Sequence, residues 1–409
     1  MGSASGTGRE APSGRPQEPR HRRLRIGLAI AAVAIVLLVA AIGLGVLPNP
    51  LRSSPSSSGA QCLKPDPEVA DPDAPHGLFI LNPPTKASQP YFSDSAQYLQ
   101  DNPTVCGVDF WVHWGDIDQG SQAPSEYNWT SVANEMAPWV SAGKIVNLIF
   151  QTVGYGPNQS WIPSHVLPQV RTIQCGNSPV TPLFWEPPYP QLYQSFIRAA
   201  VEHFGGTPGI GYLRFGLGTG GETFPLYDVN APGCEAALNA TGFTTANWTR
   251  YLLEMLDFEH SLAPPVQLMV ALNGVFPGIP DNVSETVALR AALDGIGFGS
   301  EGLESSNVDF NANGTAACRG GYCKLFDEFA GDVPLELQTY SASDPNGSGP
   351  TGSLTTLIPW ALDEHAQIFE LYFVDWLIAF DPNYPAYAQY HSGYSATLFS
   401  AAGVVGGSG

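Results

Sequence analysis

Eight short runs rich in β-branched and aromatic residues, separated by longer helical patterns over about 325 residues, predict an α/β fold, a (β/α)8 TIM barrel with enlarged loops. The chain has 409 residues and 44% hydrophobic content, enough for a sizeable core. No Gly-x-Gly-x-x-Gly phosphate loop follows an early run, which disfavours the rival doubly wound open sheet. The glycines at 216, 218, 220 and 221 come mid-chain and lead into Glu222, with no lysine to hold a phosphate.

Residues 1–25 form a basic stub with six arginines and two glutamates (+4), leaving 11 basic and 35 acidic residues (−24) in the rest of a chain of net charge −20. Residues 26–47 are 22 uncharged apolar residues directly behind Arg20, Arg22, Arg23 and Arg25. Such a run spans a hydrocarbon core of about 30 Å as one helix, with its basic flank on the cytoplasmic side. A cleaved signal segment is the alternative reading, and either one exports the remainder as a membrane-tethered or secreted body. Residues 48–75, with Pro48, Pro50, Pro55, Pro65, Pro67, Pro72 and Pro75 among serines, read as a spacer that forms no core.

The barrel is expected over 76–400. Its strands are predicted at Gly77–Leu81, Cys106–Val112, Ile145–Phe150, Gly211–Phe215, Gln267–Leu272, Gly295–Gly299, Pro334–Thr339 and Ile368–Val374. Helices are expected near 130–142, 190–204, 246–262, 283–294, 322–330 and 354–366, while 85–104 is less clearly helical. The long stretches 151–190 and 223–245, rich in Pro, Gly and Asn, read as loops that shape the site, and 401–409 as a flexible tail.

Cysteines at 62, 106, 175, 234, 318 and 323 all lie on the expected outer side, where an even count favours disulfides over metal ligation. Cys318 and Cys323 are close enough in sequence to staple one small loop; the spacing fits no zinc site, so no metal is expected. Asn-x-Ser/Thr sequons begin at Asn128, Asn158, Asn239, Asn247, Asn282, Asn313 and Asn346 and would be glycan acceptors in a eukaryotic secretory pathway. The acidic balance argues against nucleic acid as a partner.

Barrel chemistry sits at the C-terminal ends of strands, so acidic residues there are the first candidates. Glu222 follows the fourth run behind small residues that would leave its carboxylate at the rim; a solvated loop glutamate is the competing reading. Glu336 lies within the seventh run, where alternation puts Glu336, Gln338 and Tyr340 on one face and Leu335 and Leu337 on the other. A carboxylate in a buried strand is functional or paired, and Arg214 is a candidate counterion. Glu301, after the sixth run, is the alternative nucleophile. Asp109, Trp111, His113 and Trp114 at the second run combine rings and hydrogen-bonding groups as a sugar site requires, although Trp111 could equally be core. Glu370, Tyr372, Asp375 and Trp376 play the corresponding part at the eighth, with Glu370 read as structural or substrate-binding and Trp376 as a floor for a sugar ring.

Over most of 76–400 the chain resembles the clan of retaining glycoside hydrolases with (β/α)8 barrels, in architecture and in Tyr127-Asn128-Trp129 followed by Gly143-Lys144-Ile145-Val146. The resemblance implies Glu222 as acid/base, Glu336 as nucleophile, Trp376 as the stacking aromatic, an oligo- or polysaccharide substrate and no cofactor. Gly221 stands where many members carry asparagine, and Leu337 follows Glu336 where a loop is usual. A hydrolase of extracellular or cell-envelope glycan is therefore expected; an inactive carbohydrate-binding or envelope-organising barrel, a transglycosylase and a polysaccharide lyase are the alternatives.

Overall fold

Alternation along the strands decides where the two parts of the core lie. The computed structural model describes residues 76–83, 99–120, 127–272, 282–305, 308–310, 316–318 and 321–405, all within the unit Pro55–Gly409. Eight parallel strands close into a barrel: β1 (Gly77–Leu81), β2 (Gly107–His113), β3 (Ile145–Gln151), β4 (Ile210–Phe215), β5 (Gln267–Leu272), β6 (Gly297–Leu303), β7 (Leu335–Thr339) and β8 (Ile368–Tyr372). The last strand pairs back onto β1, so no edge is left open. Leu78, Ile80, Val146, Leu148, Leu213, Val270, Leu335, Leu337, Phe369 and Leu371 point outward into a large core beneath the helices. Their neighbours Phe79, Ile145, Tyr212, Met269 and Ile368 point inward and form a second, smaller core inside the barrel.

The described helices are α1 (Trp114–Ile117), α2 (Thr130–Ser141), α3 (Tyr189–Phe204), α4 (Cys234–Ala240), α5 (Thr245–Leu262), α6 (Asn282–Leu293), α7 (Gly321–Phe329), α8 (Leu354–Asp363), α9 (Phe373–Phe380) and α10 (Tyr387–Val405). In α3 the residues Tyr189, Tyr193, Phe196, Ile197, Ala200 and Phe204 recur at helical spacing and are all buried. The hydroxyl of Thr244 caps α5 by accepting the Asn247 backbone N–H at 3.1 Å. Two antiparallel ribbons, Thr172–Ile173 with Thr181–Pro182 and Val308–Phe310 with Ala316–Cys318, sit in the excursions after β3 and β6.

β1 and β5 coincide with their predicted runs, and most other strands differ by one or two residues at an end. The exception is β6, which starts at Gly297 and runs on to Leu303, so that Glu301 lies inside the strand. A bulge falls there: Ser300 stands beside the Leu337 step, but Leu303 beside Thr339. Two steps on β7 therefore match three on β6, and the phase of β6 flips after Glu301, leaving Leu303 in the outer core. α10 carries the chain as helix through Val405, which corrects the flexible tail expected from 401. The short helices α1, α4 and α9, and α10, were not legible as separate helices.

The stub, the apolar run 26–47, the spacer 48–75, Cys62 and Asn313 lie outside the described residues, as do the side chains of Cys318 and Cys323. Among the described residues no helix is long and apolar enough to cross a membrane. Cys106 is disulfide-bonded. Cys175, beside the first ribbon, is bonded to Cys234 at the start of α4, across a sequence separation of 59. Closing a loop of that length removes unfolded-state freedom worth about 4 kcal/mol. C175S/C234S is expected to lower unfolding free energy in urea by roughly 2–5 kcal/mol; an unchanged midpoint would remove the bond from the stability of the barrel.

Candidate active site

The lumen is polar above its apolar floor. Asp109 on β2 accepts the side-chain amide of Asn147 on β3 at 2.7 Å and the phenol of Tyr212 on β4 at 3.1 Å. The same Tyr212 hydroxyl also lies against Glu370 on β8. Arg214, two residues further along β4, reaches across the lumen. One of its terminal nitrogens donates to Glu336 on β7 and, at 3.0 Å, to Glu370; the other donates to Glu370 and to the side-chain carbonyl of Gln338, both at 3.1 Å. Gln338, its carbonyl oriented toward Arg214, hydrogen-bonds Glu301. A single buried guanidinium thus organises three strands.

Glu222 arrives from above. After β4 the chain doubles back as a tight hairpin, with Thr219 bridged to Phe224 and the Thr219 backbone N–H donating to the Phe224 carbonyl at 2.8 Å. Gly220 and Gly221 take φ of +75° and +82°, conformations that glycine adopts without strain. The hairpin is fastened to the segment after β3 by the Gly220 N–H, which donates to the Val153 carbonyl at 2.8 Å. Two residues beyond Val153 the hydroxyl of Tyr155 donates to Glu222 at 2.6 Å and lies 3.4 Å from Glu301. The two carboxylate oxygens on that hydroxyl are therefore separated by no more than the sum of those distances. Glu222 is buried and Glu301 keeps a partly exposed face.

Asp109, Glu222, Glu301, Glu336 and Glu370 share this interior with one guanidinium among the described residues. Removal from water, with Glu222's charge next in weight, holds Glu301 well above the usual carboxylate range, against the pull of Arg214 and Gln338. Burial likewise raises Asp109, Glu336 and Glu370, and Arg214 offsets only part of the effect. The lumen carboxyl groups consequently hold protons more tightly than exposed ones do.

Several expected site residues stand elsewhere. Glu336 lies in the middle of the barrel, paired with Arg214 as expected of a counterion, with its other oxygen unbonded. Gly299 beside it leaves room for the carboxylate, since a Cβ there would overlap it. Glu370 and Asp109 belong to the same buried network. Trp376 is fully buried outside the barrel, its indole donating to the Thr104 hydroxyl at 3.0 Å, and cannot floor a sugar. Trp114 is core as well, stacked on Phe196 and against Tyr193. Asp375 is buried against Ser343, whose backbone N–H donates at 3.1 Å and whose hydroxyl also contacts Tyr394.

At the mouth remain Trp111, His113, Gln338, Tyr340 and Tyr372. Trp111 and His113 are half-buried, and the indole N–H and the imidazole Nε2 have no protein partner. His113 stacks on Trp161 at 3.8 Å and contacts Asp116 through Nδ1 at 3.2 Å; burial lowers its basicity. Tyr340 is 55% exposed, and the Tyr372 hydroxyl reaches its carbonyl at 3.5 Å. Tyr155 and Trp161 escaped the sequence reading, although a tyrosine between two glycines just beyond a strand, Gly154-Tyr155-Gly156, was a usable signal.

The chain superposes on the catalytic domain of a β-amylase from Paenibacillus polymyxa with a TM-score of 0.55 and 12% identity, covering 80% of this chain and 98% of that one. A β-galactosidase from Marinomonas ef1 scores 0.46 at 12% identity, with 80% of this chain and 59% of that one covered. Xylanase 10B from Thermotoga maritima scores 0.45 at 11% identity, with 85% and 100% covered. No protein-family model and no curated protein matches the chain. The first of these likenesses is one of fold, an eight-stranded barrel with surrounding helices.

Two measurements test the buried charges. R214M strands Glu336 and Glu370 without a counterion and is expected to lose about 3–5 kcal/mol of unfolding free energy; adding E336Q and E370Q should restore much of it. A loss under about 1 kcal/mol in R214M would mean that the guanidinium is not the hub. Asp375, pushed up to about 7 chiefly by burial, binds its proton more tightly folded than unfolded. Its contribution is complete below about pH 4 and is lost as pH rises through about 7, on the order of 4 kcal/mol in all. D375N should flatten the fall in melting temperature across that window, and an unaltered slope would point to another group.

Proposed function

We propose that the chain is a glycoside hydrolase that cleaves an extracellular or cell-envelope glycan through Glu222 and Glu301 in a retaining double displacement. The observation that carries this reading is the meeting of two carboxylates on one hydroxyl at the C-terminal mouth of a parallel barrel. Their oxygens lie closer than the roughly 6.5–9.5 Å that leaves room for water in an inverting pair, and within reach of the about 5–5.5 Å of a retaining one. A fold shared with a β-amylase catalytic domain is in keeping with the cleavage of a glycan, and bears on neither the residues nor the stereochemical course.

Glu301 is the member held from below, by Gln338 and through it by Arg214, which oppose in part the raising of its carboxyl by burial and by Glu222. The pair shares one proton, because two close carboxylates do not both ionise readily. With that proton on Glu222, a Glu301 oxygen attacks the anomeric carbon, the glycosidic bond breaks and Glu222 protonates the departing oxygen. The resulting ester removes the charge from Glu301, so Glu222 becomes the stronger acid and is ready as its carboxylate to take a proton from the incoming water. The Trp111 indole N–H and His113 Nε2 are buried without a protein partner, and would bond sugar hydroxyls only once uncovered. No step calls on a cofactor.

The apolar run 26–47 behind its arginines places the barrel outside the membrane in this reading, tethered or released after cleavage, and the Cys175–Cys234 bond suits an oxidising compartment.

A panel of aryl glycosides, followed by NMR of the first-formed anomer, tests the assignment. The anomer should match the substrate. E222Q should lose roughly 10²–10⁴-fold on poor leaving groups and far less on activated ones. E301Q should form no covalent adduct with 2-deoxy-2-fluoro glycosides. If E336Q rather than E301Q abolishes the adduct, the nucleophile returns to β7. Binding of glycans without turnover of any would favour an inactive carbohydrate-binding barrel.

A further inference from the structure

Tyr155 touches both carboxylates of the pair. Three features hold it there. The backbone N–H groups of Tyr155 and Gly156 both donate to the side-chain carbonyl of Gln159, at 2.8 and 2.7 Å, which fixes the turn that presents the ring. The ring packs against Tyr227 at 5.1 Å between centroids. On its other side lies Gly220, where any Cβ would collide with the phenol carbons and oxygen. The segment after β3 and the hairpin after β4 are thus shaped to each other around this hydroxyl.

A phenol has one proton to donate and lone pairs with which to accept. It cannot donate to two carboxylates at once, and against two ionised groups one contact is left unsatisfied. Against a pair carrying a single proton it is satisfied on both sides, donating to the ionised member and accepting from the protonated one. The geometry points to Tyr155 as a positioning residue that selects the singly protonated state of Glu222 and Glu301; this rests on the glycosidase reading above. Its donation to Glu222 goes with the proton on Glu301, and reversal of the hydroxyl, with the proton passing to Glu222, gives the form from which the displacement starts. The arrangement works in both halves of the reaction, since the hydroxyl reverses direction by rotating about its C–O bond. Burial and the two neighbouring carboxylates keep the phenol protonated and able to do so.

The readout is the bell-shaped pH dependence of kcat/KM on a neutral aryl glycoside, whose two limbs bound the singly protonated window. Y155F keeps the ring and removes the hydroxyl. It should raise the acid limb and lower the alkaline limb, narrowing the bell by about one pH unit on each side, the equivalent of a hydrogen bond to a charged group. KM should change little, and the melting temperature should stay near that of the parent. Gly220→Ala displaces the phenol without deleting it and should narrow the bell in the same way. A residue with only a packing role would leave both limbs in place, and unchanged limbs in Y155F overturn the proposal. A faster Y155F enzyme overturns it too, because the hydroxyl would then obstruct the gap between the carboxylates. E222Q or E301Q retaining full turnover would fell the glycosidase assignment itself, whereas their inactivity beside an unaltered Y155F profile would fell this inference alone.

Discussion

The guanidinium of Arg214 is the interaction on which the polar interior depends. Three carboxylates from β2, β7 and β8 would repel one another in a lumen stripped of water; the cation on β4 makes two of them partners and leaves Asp109 to Asn147 and Tyr212. Its planar fork suits the task, meeting Glu336, Glu370 and the amide of Gln338 at once, which the ammonium of a lysine could not do with the same geometry. Such a cluster is poor evidence of net stability, because apolar side chains of similar volume could fill the space as well. Its effect is one of orientation: a fixed Gln338 carries the order of the barrel centre up to Glu301 at the mouth.

How two carboxylates come to face each other at that mouth follows from backbone detail. β4 and β6 are not adjacent, since β5 lies between them. Glu301 reaches the lumen on a strand whose inner positions below it are Gly297 and Gly299, and the bulge just beyond it ends the inward alternation. Glu222 comes back from the other side on a hairpin that turns through two glycines at positive φ. Neither position is set by the regular barrel; both are set by local departures from it, the usual place for a site to be built on such a scaffold.

The scaffold was legible because its signal is periodic. Alternation located the strands nearly to the residue and set Glu336 and Gln338 on the inner face, which is where they are. Alternation says nothing about depth. Glu336 and Glu301 both point inward, yet Glu336 lies level with Gly299 and Ile368, two residues lower than Glu301. The bulge that extends β6 through Ser300-Glu301-Gly302 has no sequence signature beyond its glycines, so the strand was read as ending at Gly299. Trp376 and Trp114 differ from expectation for a related reason: Trp114 opens α1 directly after β2 and Trp376 closes the first turn of α9 after β8, so both turn beneath the helices instead of over the mouth. The pairing of Cys175 with Cys234 depends on two excursions meeting in space and could not be read from spacing.

Those two excursions are tied at both ends. Near the barrel, Val153 is bridged to Thr219 and accepts from Gly220. Further out, Cys175 is bonded to Cys234, the Asn177 backbone donates to Asp228 at 3.0 Å, and the Ser178 hydroxyl donates to the Tyr227 carbonyl. A pair of arms joined at base and tip behaves as a truss: neither can swing without carrying the other, and a load on one is shared by both. Tyr155 rides on one arm and Glu222 on the other, so their alignment survives any rocking of this side of the mouth as a single panel.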